Sequence, residues 1–347
     1  MTLKISDRAS KVRLSPTLAV FNLTAEKKRQ GLKLWDFGVG EPVFETPSGI
    51  ADKGIDAIQK GYTKYTENQG IIELRTAVSH YLNASFNINY PAGDILISNG
   101  AKQSVFNAIA ALVNPGDKVL VPLPCYPSYP EMIKFCGAEP RLLQCDPHSL
   151  KITPSLLKIA LQEDIKGIIL NQPSNPSGVS YKKSELEEFA NVIGDKNIFI
   201  ISDEIYSGIT AENFKFCSVA EALPQFHDRI ILVGGASKNF AMTGWRIGFA
   251  AGPPEVIHAM NLIQNQTTGH PGTMNQHAAI EAFRHADKYI NTIKTAFIQR
   301  RKIFRKELEK IPLIKIHEGE GAFYYFTDFS NYLPSHSPSG KKISDTQ

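Results

Sequence analysis

Arg229-Ile-Ile-Leu-Val-Gly-Gly-Ala-Ser-Lys238-Asn-Phe-Ala-Met-Thr-Gly-Trp-Arg246-Ile-Gly248 sets a lysine among small and apolar residues just after a β-like run. An ammonium group in such surroundings loses hydration, so its pKa falls and the neutral amine becomes able to attack a carbonyl and form a Schiff base. Arg246, eight residues on, offers a rigid fork of donors that matches a phosphate. One carbonyl-bearing, phosphate-bearing cofactor that uses both groups is pyridoxal 5'-phosphate, whose chemistry also needs a carboxylate at its ring nitrogen. On these two residues alone, a solvated loop lysine and a surface arginine remain the ordinary alternative.

Working outward, the same β-like pattern recurs. Short apolar runs occur at Asp94–Ser98, Lys118–Pro122, Gly167–Asn171, Asn197–Ser202 and Arg229–Val233, with a further one at Phe249–Ala251. Helical segments lie between them. This alternation predicts a doubly wound α/β fold with a mostly parallel sheet covered by helices on both faces. Helices are expected over Lys102–Val113, from a Thr46-Pro47 start to about Gly61, from Ile71 with Leu74, Val78, Tyr81 and Leu82 on one face, and around Thr17–Arg29. Ser184-Glu-Leu-Glu187 reads as a capping box, and Met274–Leu308 as a long connecting helical stretch.

In such sheets ligands sit beyond the carboxyl ends of the strands, so the residues after each run are the ones to inspect. They are Asn99-Gly100-Ala101-Lys102 at a helix start suited to a phosphate, Pro124-Cys-Tyr126-Pro-Ser-Tyr129 with an aromatic face for a planar ring, Asn171-Gln-Pro-Ser-Asn175, Asp203-Glu-Ile-Tyr206, and Ser237-Lys238. Taken singly, each has a structural reading: a cap for Asn99 or Asn175, core packing for Tyr126 or Tyr206, a strand-end cap for Asp203. Five polar candidates at successive strand ends favour a shared site.

The 347 residues carry 38 basic and 34 acidic side chains for a net charge of +4, with 42% hydrophobic and 21% charged residues. This is the composition of an ordinary globular protein, and the interleaved charges give no support to nucleic-acid or membrane-surface binding. Four cysteines without paired spacing, and an N-terminus lacking an apolar signal segment, lead to the expectation of a cytoplasmic protein with no metal site.

Together these motifs resemble the class I aminotransferases, the fold-type I pyridoxal-phosphate enzymes, most closely their bacterial aspartate aminotransferase branch. Leu14–Leu18, Gly38–Pro42, Lys64-Tyr-Thr, Glu73-Leu-Arg75, Asn171–Gly178, Ser202–Tyr206, Ser237–Phe240 and Gly244–Gly248 carry the resemblance. It implies that Lys238 holds the cofactor as a Schiff base and then moves the proton, and that Asp203 keeps the ring nitrogen protonated. Asn175 and Tyr206 are implied to bond the phenolic oxygen, and Tyr126 to stack on the ring. Gly100, Ala101, Lys102, Ser237 and Arg246 would cradle the phosphate. Gly40, with Tyr126 and Asn175, would lie beside the substrate. Tyr65 would reach the phosphate of a neighbouring subunit, which implies a homodimer with shared sites.

The implied reaction is amino transfer between an L-amino acid, aspartate first, and a 2-oxo acid such as 2-oxoglutarate. Elimination or cyclisation on the same cofactor is the alternative, and a cofactor-binding protein without activity is another. The implied organisation is a large domain over 46–285 and a smaller one from 1–45 and 286–347. Two departures stand out. Tyr126 occupies a stacking position that is usually tryptophan, and no arginine follows Arg305. In the family a strand, matched here by Gly321–Phe326, is followed by a helix, a strand and an arginine that clamps the substrate carboxylate; the chain is therefore expected to lack that C-terminal segment, with Lys341-Lys-Ile-Ser-Asp345 as the lead-in to the missing helix.

Overall fold

A computed structural model describes residues 3–13, 15–38, 40–336, 340 and 342–343. Seven strands form the central sheet: β1 (Ile95–Ser98), β2 (Lys118–Leu123), β3 (Glu139–Gln144), β4 (Ile165–Asn171), β5 (Phe199–Asp203), β6 (Ile230–Gly235) and β7 (Gly248–Ala251). Their spatial order is β1-β7-β6-β5-β4-β2-β3. Pairings β2·β3, β2·β4, β4·β5 and β5·β6 are parallel, whereas β7 runs antiparallel to both β1 and β6. The expected mostly parallel sheet is present.

Side chains alternate across the sheet with period two, and both sets are buried. Ile95, Ile97, Ile200 and Leu232 join one core, with Leu74, Val78 and Leu82 of helix Ile72–Phe86 and Ala278, Ala279 and Ala282 of helix Thr273–Arg284. Leu96, Ile201, Ile231 and Val233 join the other, with Val105, Ala108 and Ile109 of helix Ala101–Leu112 and Ile133 of helix Ser128–Phe135. Burial on both faces explains why these strands read as unbroken apolar runs.

Several local expectations are corrected. The edge strand β3, Glu-Pro-Arg-Leu-Leu-Gln, falls outside the expected runs; each of its residues is exposed or half-buried, and Pro140 is tolerated because the strand pairs on one side only. The helix expected to start at Thr46-Pro47 runs Ser48–Gln59 with Pro47 as its N-cap. Thr46 Oγ1 instead donates to the Ala241 carbonyl at 2.8 Å and accepts from Trp245 Nε1 at 2.9 Å, which ties this segment to the stretch after Lys238. The capping carboxylate of helix Lys183–Ile193 is Glu185, which accepts from the Lys182 amide at 2.7 Å, so the box lies two residues earlier than Ser184–Glu187. The stretch Met274–Leu308 is two helices, Thr273–Arg284 and Ala286–Leu308, broken at His285.

Beyond the second of these helices, β8 (Lys315–His317) pairs antiparallel with β9 (Phe326–Asp328). The strand expected over Gly321–Phe326 is thus paired only at its last residue, and Gly321 makes an isolated bridge to Thr210. Ser335–His336 pairs with Lys342–Ile343, so the described part of the segment expected to lead into a helix is extended; Lys341, Ser344 and Asp345 lie outside the described residues, as do Leu14 and Val39. No described helix is long and apolar enough to cross a membrane.

Candidate active site

The carboxyl ends of β4, β5 and β6 are brought level by the sheet register, which pairs Asn171 with Asp203 and Asp203 with Val233. β6 then runs into a four-residue helical turn, Ala236–Asn239, that carries Lys238. The result is a cavity of about 880 Å3 whose walls include Gly40, Ala101, Lys102, Tyr126, Asn175, Asp203, Tyr206, Ser237, Lys238 and Arg246. Ten of the residues singled out in the sequence therefore share one cavity.

Lys238 is mostly buried, and its Nζ donates to the Gly40 carbonyl at 2.7 Å while lying 5.6 Å from the centre of the Phe323 ring. Burial lowers its pKa to about 8; Arg246 pushes in the same direction, and Glu41 opposes it. A tenfold change in proton concentration near neutrality thus changes how much free amine this residue offers.

Asp203 is 6% exposed. Its Oδ2 accepts from the Tyr129 hydroxyl at 2.7 Å and its Oδ1 from the Ile205 amide at 3.2 Å. Burial raises its pKa to about 6, with those two hydrogen bonds opposing the shift. Among the described residues no lysine, arginine or histidine pairs with it, so a cationic partner entering the cavity would find a desolvated carboxylate waiting. Next to it, Asn171 Nδ2 donates to the Asp203 carbonyl at 3.0 Å, and Asn171 Oδ1 accepts from the Asn175 amide at 2.7 Å, which orders the loop carrying Asn175 along the wall.

Gly100 has φ +85° and begins helix Ala101–Leu112, which has no side-chain cap. A helix start without a side-chain cap suits an anion. Arg246 lies against Gly100: a Cβ there would come within 2.9 Å of the guanidinium carbon, so any other residue would push the guanidinium aside and would also strain the backbone at φ +85°. Arg246 donates to the carbonyls of Thr243 at 2.9 Å and Asn99 at 3.3 Å, and no carboxylate pairs with it among the described residues. Gly248 on β7 is equally constrained, because a Cβ there would meet Ala101 Cα at 2.8 Å.

Tyr126 meets Tyr129 edge to face at 5.4 Å, and the Lys102 ammonium lies 5.9 Å from the Tyr126 ring centre. Tyr206 contacts Tyr324, hydroxyl to hydroxyl, at 2.7 Å. Two of the expected site residues do not line the cavity: Gly100, which packs against Arg246, and Tyr65, which is 97% exposed with its ring meeting His270 edge to face at 5.7 Å.

Three wall residues give no functional signal in the sequence, and a fourth, Tyr129, is legible there as an aromatic face but not as the donor to Asp203. Tyr324 sits within an aromatic run that reads only as a strand. Arg300 and Arg301 belong to helix Ala286–Leu308, where their positions give no signal; Arg300 sits 4.5 Å over the Phe44 ring, and Arg301 donates to the carbonyls of Gly319 and Gly321.

Comparison with known proteins agrees with this geometry. The model for the family "Aminotransferase class I and II" matches residues 33–345. A probable aspartate/prephenate aminotransferase of Rickettsia typhi is 37% identical over 344 residues, 99% of this chain and 86% of that protein. An aspartate aminotransferase of a Bacillus species is 36% identical over 94% of this chain and 83% of its own length. Among solved structures, the aspartate aminotransferase of Rhizobium meliloti superimposes with a TM-score of 0.94 at 33% identity, covering 99% of this chain and 86% of that one. The Thermus thermophilus enzyme with maleate gives 0.91 at 33% identity over 96% and 87%. The chain belongs to the class I and II aminotransferases, enzymes that move an amino group between an amino acid and a 2-oxo acid.

Proposed function

We propose that the cavity holds pyridoxal 5'-phosphate and that this chain transfers the amino group of an L-amino acid, aspartate first, to a 2-oxo acid such as 2-oxoglutarate. The observation that carries the reading is the convergence on one cavity of a desolvated amine, a buried carboxylate without a cation, and an arginine without a carboxylate beside an uncapped helix start. These three groups suit, in turn, an aldehyde, a pyridinium nitrogen and a phosphate. The names of the relatives support aspartate as the first donor to try.

When bound, pyridoxal phosphate supplies an electron sink for the carbanion formed at the substrate α-carbon. Lys238 would hold the group through Nζ, and its amine would carry the proton at the substrate α-carbon. Asp203 keeps the ring nitrogen protonated by charge. Asn175 and Tyr206 donate to the phenolic oxygen, and Tyr126 covers the ring face. Arg246, Ser237, Lys102, Gly100 and the Ala101 amide would hold the phosphate. Gly40 lies beside the substrate, with Tyr126 and Asn175.

The same reading includes a homodimer, with Tyr65 reaching the partner's site. Its support is the 97% exposure of Tyr65 and a second hollow of about 450 Å3 bordered by Ile55, Ile58 and Trp245. It also includes the division into 46–285 and a smaller unit from 1–45 and 286–347, supported by the separate β8·β9 pair. Four free thiols fit a reducing, cytoplasmic compartment.

Borohydride reduction of the cofactor-loaded protein followed by peptide mapping tests the assignment. The label is expected on Lys238, together with amino-acid-dependent conversion of 2-oxoglutarate to glutamate. Label on Lys102 or elsewhere would overturn it.

A further inference from the structure

The hydroxyls of Tyr206 and Tyr324 are 2.7 Å apart, and their rings meet edge to face with centroids 5.7 Å apart. Either oxygen is able to donate in this geometry, and each phenol owns a single proton. Burial pushes both acidities toward the neutral form, Tyr206 well above the ordinary tyrosine value and Tyr324 to about 12. Proton counting then decides the direction. Once Tyr206 gives its proton to an acceptor in the cavity, the 2.7 Å contact persists only with Tyr324 as donor.

We propose that Tyr324 is a positioning residue that donates to the Tyr206 hydroxyl and so sets the direction and strength of the hydrogen bond Tyr206 gives to an oxyanion in the cavity. The proposal rests on the function proposed above, in which that oxyanion is the phenolic oxygen of the cofactor. A phenol that accepts one hydrogen bond is a stronger donor in the next, because the chain polarises.

Tyr324 is mounted as such a role requires. The amides of Gly321 and Ala322 donate to the carbonyls of Gly178 and Ile209 at 2.9 and 2.8 Å. Glu320, just before them, bonds Lys151 at 2.7 Å and the Ser180 amide at 2.9 Å. On its other side the ring lies against Gly40, where a Cβ would overlap the Tyr324 hydroxyl and approach the ring carbon bearing it to 3.1 Å. Gly40 is also the carbonyl that holds Lys238. Tyr324 therefore fills the space between Tyr206 and the backbone that fixes the lysine, with no room to turn aside.

The test is the pH titration of the visible absorbance of pyridoxal phosphate bound to the wild type, Tyr324→Phe, Tyr206→Phe and the double variant. Donors at the phenolate draw off the negative charge that keeps the neighbouring nitrogen protonated, so weakening them raises the midpoint. Tyr324→Phe is expected to raise it by about half a unit to one unit, the worth of one ordinary hydrogen bond. Because Tyr324 acts through Tyr206, its removal from Tyr206→Phe is expected to add nothing. The Phe ring preserves the contact with Gly40, so the variant should fold, with stability lowered by no more than the loss of one hydrogen bond. A Tyr324→Phe curve that overlays the wild type, or an equal shift in the Tyr206→Phe background, overturns the proposal while leaving the proposed function standing. A wild type whose added pyridoxal phosphate develops no Lys238-dependent absorbance overturns both.

Discussion

Lys238 Nζ donates to the Gly40 carbonyl across 198 residues of chain, at 2.7 Å. The bond orients the amine into the cavity without neutralising it, because a carbonyl is a dipole and not a counter-charge. Its pKa of about 8 follows from burial without a paired carboxylate. Capture of pyridoxal phosphate requires the free amine. The second-order rate of capture, followed by absorbance, is therefore expected to rise about tenfold per pH unit below pH 8 and to level off above it. Lys238→Ala should abolish both the pH-dependent signal and amino transfer, as measured by glutamate formation.

Gly40→Ala places a methyl group on the Tyr324 hydroxyl. Either the Gly40 backbone or Tyr324 must shift, and both are tied to functional side chains, Lys238 and Tyr206. Misplacement of about 1 Å near reacting groups costs on the order of a hundredfold. The variant should fall by that order in kcat/KM while its circular-dichroism spectrum stays unchanged. Full activity would show that the segment around Gly40 yields freely.

Asp203 makes the cofactor-free protein sensitive to mild acid in an unusual direction. Its pKa in the folded chain, about 6, lies above the ordinary carboxylate value of 3.8, so between these values the folded state binds the extra proton. Stability from this group is complete below pH 3.8 and is lost as pH rises through 6. A shift of about two units corresponds to about 3 kcal/mol. Urea denaturation of the cofactor-free wild type against Asp203→Asn is expected to show the wild type losing ground by that order from about pH 4 to about pH 7. A constant difference would show that Asp203 keeps its ordinary acidity. In the loaded enzyme, Asp203→Ala should lose most of the single-turnover rate while retaining some cofactor.

Lys151 is nearly buried and bonds Glu320 at 2.7 Å and Glu185 at 3.3 Å, with the Tyr181 ring 5.6 Å from its ammonium. Lys151→Met leaves Glu320 without its cation beside the segment that carries Tyr324. Glu320 keeps some solvent, so the loss should stay below the full cost of breaking a buried pair, at about 1–3 kcal/mol in urea denaturation. The variant should also weaken the Tyr324-dependent absorbance shift. A wild-type unfolding midpoint would remove this pair from any structural role.

Much of this architecture is legible before folding. Runs such as Ile230–Val233 of β6 and Phe199–Ile201 of β5 are apolar on every residue because helices cover both faces of the sheet, and the strand-end rule then leads to Asn175, Asp203, Tyr206 and Lys238. β3 escapes because Glu139, Pro140, Arg141 and Gln144 leave it no unbroken apolar run, and the boundary at Pro47 moves because Thr46 finds a tertiary partner in Ala241 in place of its own helix. Local chemistry sets a strand or a turn; a contact 195 residues away overrules it.

The sequence by itself determined the sheet, the strand ends and which residue types stand there, since those depend on period, burial and turn chemistry along a short length of chain. Only the tertiary structure decided who faces whom. The Tyr129 donor on Asp203, the Tyr324 hydroxyl on Tyr206 and the Gly40 carbonyl on Lys238 join residues 74, 118 and 198 positions apart. Such pairs leave no periodic trace, because their partners are chosen by packing of separate elements around one cavity.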